Sequence, residues 1–241
     1  IEGPLVSRPY ARLTIDVMRR FGADVQTAPA GPEPNVFVVP PGRPYEPCDL
    51  EIEGDYSSAS YFFAAAAVTG GRVRVDRLDP RSSQGDAQFL RLIERMGCRV
   101  ETGDGWVSVE GPETLFGIDA YCRGMPDIVP TLAVVALFAK GPSRISGVPH
   151  LKVKESDRIA AVVSEINRMG GAASPAPDGL TIEPRSLHAA RIETYSDHRM
   201  AMAFAVAGLR VPGVVIAGSG CVSKSFPEFW EHFDRLTGGA A

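Results

Sequence analysis

Three stretches of this 241-residue chain repeat one another, and a repeat constrains a fold more than any single motif does. Gly54–Val75 reads GDYSSASYFFAAAAVTGGRVRV, Gly124–Ile145 reads GMPDIVPTLAVVALFAKGPSRI, and Tyr195–Ile216 reads YSDHRMAMAFAVAGLRVPGVVI. Each opens near an aspartate, runs through small and apolar residues, turns at a glycine and ends in a β-branched strand. Asp55, Asp127 and Asp197 mark the shared position, 72 and 70 residues apart.

A second helix follows in each unit, predicted over Asp86–Gly97 and Asp157–Gly170, with an earlier copy over Pro9–Gly22. In Asp157–Gly170 the residues Ile159, Val162, Val163, Ile166 and Met169 step along one face, and the closing glycine supplies a left-handed cap. Gly22, Gly97 and Gly170 lie 75 and 73 apart. Asp104-Gly105 and Asp178-Gly179, 74 apart, read as hairpin turns. The unit is therefore βαβαββ and the fold class α/β (α+β). The first helix of each unit is apolar on all sides, which in water demands burial on all sides, whereas the second is amphipathic. Helices are expected inside and sheets outside, the reverse of a doubly wound sheet.

The repeat also sets expectations for the ends. The chain opens on a second helix without its first and closes on Lys224–Leu236, in the place of another second helix. Residues 1–53 read as the tail of an earlier unit, ahead of about three further units in residues 54–241. With Ile1 rather than Met in front, both ends are expected to be cut mid-unit, an upstream segment supplying the closing strands.

Composition narrows the function. With 25 Lys and Arg against 29 Asp and Glu, the net charge of −4 argues against sequence-blind binding of nucleic acid. The longest apolar runs are about half the length of a membrane crossing, and no signal peptide opens the chain. Cys48, Cys98, Cys122 and Cys221, like the four histidines, are too scattered for a close-spaced metal or redox motif. They read as free thiols of a cytoplasmic protein.

Any anion must then be held locally, and helix starts are where backbone N–H groups and the dipole favour it. Lys154 and Arg158 stand in VKESDRI, Arg199 in SDHRMAM and Lys224 in CVSKSFPEF, four cations at one end of the repeat architecture. A small phosphorylated acid suits them. Asp127 and Glu155 among them are able to move protons. Simpler readings stand beside these. The three repeat aspartates are candidate helix caps, 154–158 is equally a solvated first turn, and Ser7 a cap of the Pro9 helix. His198 reads as a structural hydrogen-bonder, and Gly218-Ser219-Gly220 is too short for a nucleotide fingerprint.

At VKESDRI, YSDHRMAM and SKSFPEFW, with LVSRPY in front and GDYSSASYF at residue 54, the chain resembles the 5-enolpyruvylshikimate-3-phosphate synthase family from Leu5 to Trp230. The resemblance implies the inside-out barrel of enolpyruvyl transferases, and a chain corresponding to the C-terminal half. It implies transfer of the enolpyruvyl group of phosphoenolpyruvate to the 5-hydroxyl of shikimate 3-phosphate with release of phosphate, with no metal or organic cofactor. Ser7 would bind the shikimate phosphate and Lys154 the same substrate. Asp127 would take the hydroxyl proton and Glu155 give one to the methylene. Arg158, Arg199 and Lys224 would clamp phosphoenolpyruvate. His150 stands where the family pattern has an Asn. The N-terminal half of the same enzyme is the implied partner, so the chain alone would be inactive. Two alternatives remain: the related transferase acting on UDP-N-acetylglucosamine, and a non-catalytic phospholigand-binding fragment.

Overall fold

The computed structural model describes residue 1 and residues 5–29 and 34–238. The part of the 1–53 and 54–241 segments that falls on residues 2–4, 30–33 and 239–241 lies outside the described residues. Helix α1 (Arg8–Arg20) and the antiparallel hairpin β1 (Gln26–Pro29) and β2 (Pro34–Val38) come first. The first repeat unit then holds α2 (Tyr56–Thr69), β3 (Arg72–Asp76), α3 (Phe89–Arg95), β4 (Arg99–Gly103) and β5 (Trp106–Glu110). Next come β6 (Leu115–Phe116), β7 (Asp119–Tyr121), α4 (Val129–Ala136), β8 (Ala139–Lys140), β9 (Ser143–Ser146), α5 (Arg158–Arg168), β10 (Ala172–Ala176) and β11 (Gly179–Glu183). The last unit holds β12 (Arg191–Ile192), α6 (His198–Gly208), β13 (Val215–Ile216) and α7 (Phe229–Thr237).

The second unit realises the expected βαβαββ pattern in full. Its sheet runs β10-β11-β9-β7, with β7 parallel to β9 and β11 antiparallel to both β9 and β10. The first unit keeps three of these strands in the order β3-β5-β4, and no strand is assigned among residues 39–55 ahead of α2. Prolines 40, 41, 44 and 47 explain this, since each lacks the N–H a ladder needs. Two long-range backbone bonds tie this stretch down, from Glu46 N to Phe21 O and from Gly54 N to Arg77 O. Among the described residues, the third unit has the parallel pair β12 and β13.

Burial follows the sequence pattern. Every residue of α4 is buried, as are nearly all of α2 and α6, and these three helices pack on one another at the centre. α5 instead buries one face, with Ile159, Val162 and Ile166 inside. Such all-round burial is the main stabilising contribution here, about 25 cal/mol per Å² of apolar surface removed from water. α7 is fastened by rings: Phe229 lies 5.8 Å from Tyr61 edge-on and 5.2 Å from Phe233 in a stack. Gly22, Gly97 and Gly170 all take positive φ just past their helices. The helix expected from Asp86 starts late, because Gly85–Gln88 forms a tight 3-10 turn before α3. No helix among the described residues is long and apolar enough to cross a membrane.

Close approach of backbone fixes one glycine more firmly than backbone conformation fixes another. A Cβ on Gly111 would lie 2.1 Å from the Ala66 carbonyl oxygen, at the seam between β5 and α2. Gly105, in the β4–β5 turn, has φ +71 but nothing within 4 Å of such a Cβ. Gly111→Ala is expected to cost about 3 kcal/mol through forced displacement of helix backbone. Gly105→Ala is expected to cost about 1 kcal/mol, from the left-handed conformation alone. Urea denaturation giving the reverse order would refute this account of the seam.

Candidate functional site

The repeat position carrying an aspartate has three different fates. Asp55 is a plain N-cap, accepting from Ser57 N at 3.1 Å and Ser58 N at 3.0 Å. Asp197 caps α6 through Arg199 N at 2.9 Å and also accepts from Arg158 Nε at 2.7 Å. Asp127 caps nothing, contrary to its reading as a candidate cap. Pro126–Ile128 form a 3-10 turn, the cap position of α4 passes to Ile128, and the Asp127 side chain is left free to turn toward cations.

Those cations come from the expected places. Asp127 Oδ1 accepts from Arg158 Nη1 at 3.0 Å, and Oδ2 from Arg199 Nη2 at 2.9 Å and from the Tyr10 hydroxyl at 2.9 Å. Lys154 Nζ lies 3.9 Å from Oδ1. Glu155 accepts from Arg158 Nη2 at 2.6 Å and Lys224 Nζ at 2.7 Å. The starts of α5 and α6, the 3-10 turn Ser219–Lys224 ahead of α7 and the first turn of α1 therefore meet at one cluster. The Arg158 side chain is 1% exposed and the Asp197 side chain 0%. Four of the five guanidinium N–H donors of Arg158 are engaged by Asp197, Asp127 and Glu155, the Asp197 contact being two-pronged at 2.7 and 3.3 Å. The solvated-turn reading of 154–158 is thereby overturned for Arg158.

Electrostatics divides the carboxyls. Burial pushes Asp127 upward, but Arg199, Arg158 and Lys154 outweigh it and hold the group below the usual range. Burial likewise opposes ionisation of Glu155, yet the Lys224 bond, a backbone bond and Arg158 bring it down to about 2. Asp86, deeply buried in the same electrostatic neighbourhood, goes the other way. Burial raises it to about 6, the Ser57 hydroxyl bond offsetting only part, and the Asp127 charge adds to the rise. Its Oδ1 has no hydrogen-bond partner. Tyr61, fully buried and receiving Arg199 Nη1 at 3.4 Å, is pushed up to about 12 by burial.

Lys154, Glu155, Arg158, Arg199, Lys224 and Asp127 are thus brought together. Ser7 is not among them, and it does not cap α1: it occupies the cap position with φ 53 and no side-chain cap bond. It lines a separate cleft of about 280 Å³ with Arg8, Pro9, Tyr121, Arg123 and Gly124. Tyr10, which donates to Asp127, directly follows Pro9 of that cleft in α1. The His150 ring, on the 3-10 turn Pro149–Val153, has both nitrogens buried without a hydrogen-bond partner. Burial first and then Lys154 depress its basicity. His198 departs from its reading as a hydrogen-bonder: Nδ1 is buried without one, Asp197 Oδ1 standing 3.9 Å away. Tyr10, Tyr61, Asp86 and the ion-pairing role of Asp197 were not anticipated. For Tyr10 the signal was its place in the helix turn beginning at Ser7.

An arrangement of this kind can hold an anion beside two ionised carboxylates, and the chain as a whole is similar to known proteins. The family model described as EPSP synthase (3-phosphoshikimate 1-carboxyvinyltransferase) matches residues 1–233. A 3-phosphoshikimate 1-carboxyvinyltransferase of Trichormus variabilis is 47% identical over 238 residues, 99% of this chain and 55% of that protein. One of Methanoculleus marisnigri is 48% identical over 225 residues, 93% of this chain and 52% of that protein. Among solved structures, EPSP synthase of Acinetobacter baumannii superposes with TM-score 0.77 at 31% identity, covering 92% of this chain and 53% of that one. The enolpyruvyl transferase NikO of Streptomyces tendae, at 21% identity and TM-score 0.74, shares the fold. The chain spans about half the length of the curated relatives it matches.

The opposed carboxyls make a pH test. Because Asp86 is raised from 3.8 to about 6, the folded form holds its proton more tightly than the unfolded form does. Its contribution is therefore complete below the unfolded value and is lost as pH rises through about 6. Asp86→Asn keeps an acceptor for Ser57 without the charge. The difference in melting temperature between variant and parent is expected to grow in favour of the variant from pH 4 to pH 7. Parallel curves would show that Asp86 titrates normally.

Proposed function

Since the chain belongs to the EPSP synthase family, we propose that it provides the C-terminal part of an enzyme transferring the enolpyruvyl group of phosphoenolpyruvate to the 5-hydroxyl of shikimate 3-phosphate. The observation that carries this reading is Asp127, ionised and reached by Tyr10, Arg158 and Arg199 from three separate elements. On this reading residues 54–241 are the C-terminal lobe and residues 1–53 the end of the N-terminal lobe. The protein works in the cytoplasm, with Cys48, Cys98, Cys122 and Cys221 as free thiols.

The chemistry needs an acid, a base and a cationic cage. A proton delivered to the methylene carbon leaves a cationic centre, which the 5-hydroxyl attacks as Asp127 takes its proton. Loss of phosphate from the tetrahedral adduct, with loss of a methyl proton, restores the double bond. Glu155 is the donor in this scheme, although its contacts keep it ionised. Phosphoenolpyruvate resolves this: its anionic groups compete for Lys224 and Arg158, and a Glu155 relieved of those cations and facing a new negative charge rises in pKa. Lys154, Lys224 and Arg199 have donors left for substrate, while Arg158 has one N–H beyond its carboxylate bonds. Ser7 and Arg123 in the separate cleft suit the shikimate phosphate.

The partner is the N-terminal half of the same enzyme. A cavity of about 610 Å³ beside β13 and β3 is lined by Ala65, Ala205, Leu209, Val214, Ile216 and Trp230. Strands from the N-terminal half would fill it and extend the β12–β13 sheet. The isolated chain is accordingly expected to release no phosphate from the two substrates, and the joined protein to do so.

Kinetics of the joined protein test the roles. Lys224, with a side chain 57% exposed, can be lost without unbalancing the interior. Lys224→Ala is expected to raise KM for phosphoenolpyruvate tenfold or more, roughly the scale of one charge-assisted contact. Asp127→Asn is expected instead to lower kcat by about a hundredfold. Arg158 is unsuitable for such a comparison, because its removal strands buried Asp197. Equal effects of the two variants on both constants would refute the assignment. Calorimetric binding of a UDP-sugar in place of shikimate 3-phosphate, or of neither, would refute the substrate class.

A further inference from the structure

The segment that presents Asp197 and Arg199 is strained. Tyr195 and Ser196 both adopt left-handed backbone, φ 54 and 56, immediately before the α6 cap. Consecutive non-glycine residues hold that conformation only when their surroundings over-determine it. Thr194 helps, its hydroxyl donating to Ala217 O at 2.9 Å, and Asp197 N donates to Thr194 O at 2.8 Å. The main anchor, however, comes from α5.

Glu165 on that helix is fully buried, and it accepts from Glu193 N at 3.0 Å and from the Tyr195 hydroxyl at 2.7 Å. Arg168 Nε donates to it at 2.9 Å from the half-exposed side. Glu165 and Arg158 are seven residues apart, two helical turns and about 10 Å along the axis, on one face. That single face grips residues 193–197 at both ends, Glu165 at Glu193 and Tyr195, Arg158 at Asp197. Buried and holding donors from three residues, Glu165 is an anchor whose removal leaves those donors unpaired.

We infer that Glu165 is a positioning residue: by pinning Tyr195 and the Glu193 amide, it holds the strained turn so that Asp197 meets Arg158 and Arg199 is aimed at Asp127. Its functional meaning rests on the enzyme reading above; its geometry does not. Nothing in this role touches substrate. It acts through Asp197 and the two arginines, and it explains why a buried acid sits two turns away from the cluster it serves.

The test is spectroscopic and uses the chain without ligand, so its failure is separate from failure of the enzyme reading. Proton exchange at Arg158 Nε–H, followed by NMR, reports the bond to Asp197. Tyr195→Phe removes one donor and is expected to speed that exchange about tenfold, with the melting temperature changed by less than about 4 °C. Glu165→Gln, which keeps an acceptor, is expected to fall between this variant and the parent. Arg168→Gln, which leaves the bonds to Glu193 and Tyr195 in place, is expected to leave Arg158 exchange unchanged. Unaltered Arg158 exchange in Tyr195→Phe and Glu165→Gln would overturn the inference. So would an equal acceleration in Arg168→Gln, since that would mark general loosening of α5.

Discussion

A guanidinium taken out of water must be surrounded by acceptors, and Arg158 is surrounded by Asp197, Asp127 and Glu155. That requirement ties together chain segments far apart in sequence. Asp127 sits before α4, Arg158 opens α5 and Asp197 opens α6, so the ends of three helices can diverge only by exposing or orphaning a buried charge. Removing one partner of such a network typically costs about 3–5 kcal/mol, because the others stay buried and unpaired. Stability and site geometry are therefore one constraint in this protein. The apolar packing of α2, α4 and α6 makes the core, and the Arg158 cluster fixes how their ends register.

Repetition supplies the scaffold, and departures from it supply the chemistry. The three units place an aspartate at the same point, yet Asp55 satisfies its own helix, Asp197 satisfies a helix and an arginine, and Asp127 satisfies two arginines and a tyrosine. The difference is local. Asp127 follows Pro126 in a 3-10 turn, which displaces the helix start and frees the carboxylate. In a symmetric array all three would be caps. One broken turn converts a structural acid into the group on which three donors converge.

Periodicity made the interior legible, because all-apolar helices and Asp-Gly hairpins leave few alternatives for where a chain turns and what it hides. The buried α2, α4 and α6, the amphipathic α5 and the two hairpins were readable in this way, as was the clustering of Lys154, Arg158, Arg199 and Lys224 at helix starts. Pairing across long separations was not. Tyr10 meets Asp127 across 117 residues and Tyr61 meets Arg199 across 138, and no local spacing encodes either contact. The fate of Asp86 was hidden for a related reason. As the first acid of a predicted helix it looks like a solvated end, and only packing against Ser57 and its neighbours reveals a buried carboxyl.

The opposite shifts of Asp86 and of Asp127 with Glu155 follow from what each can reach rather than from how deep each lies. Asp127 is largely enclosed and still ionised, because cations surround it; Asp86 is enclosed with a hydroxyl on one oxygen and nothing on the other. Cations are the scarce resource, and they are all spent on one side of the cluster. On the proposed function, an arriving anion would therefore compete with Asp127 and Glu155 for Arg199, Lys154 and Lys224, and every contact it gained would weaken the hold on those acids. Glu155 shares buried Arg158 with Asp127, but its second cation is the exposed Lys224, where Asp127 has the largely buried Arg199, so Glu155 is the acid whose hold is weakened more readily. On the proposed function, a bound phosphorylated acid would thus shift proton affinity toward Glu155 more than toward Asp127, setting a donor apart from an acceptor within one cluster.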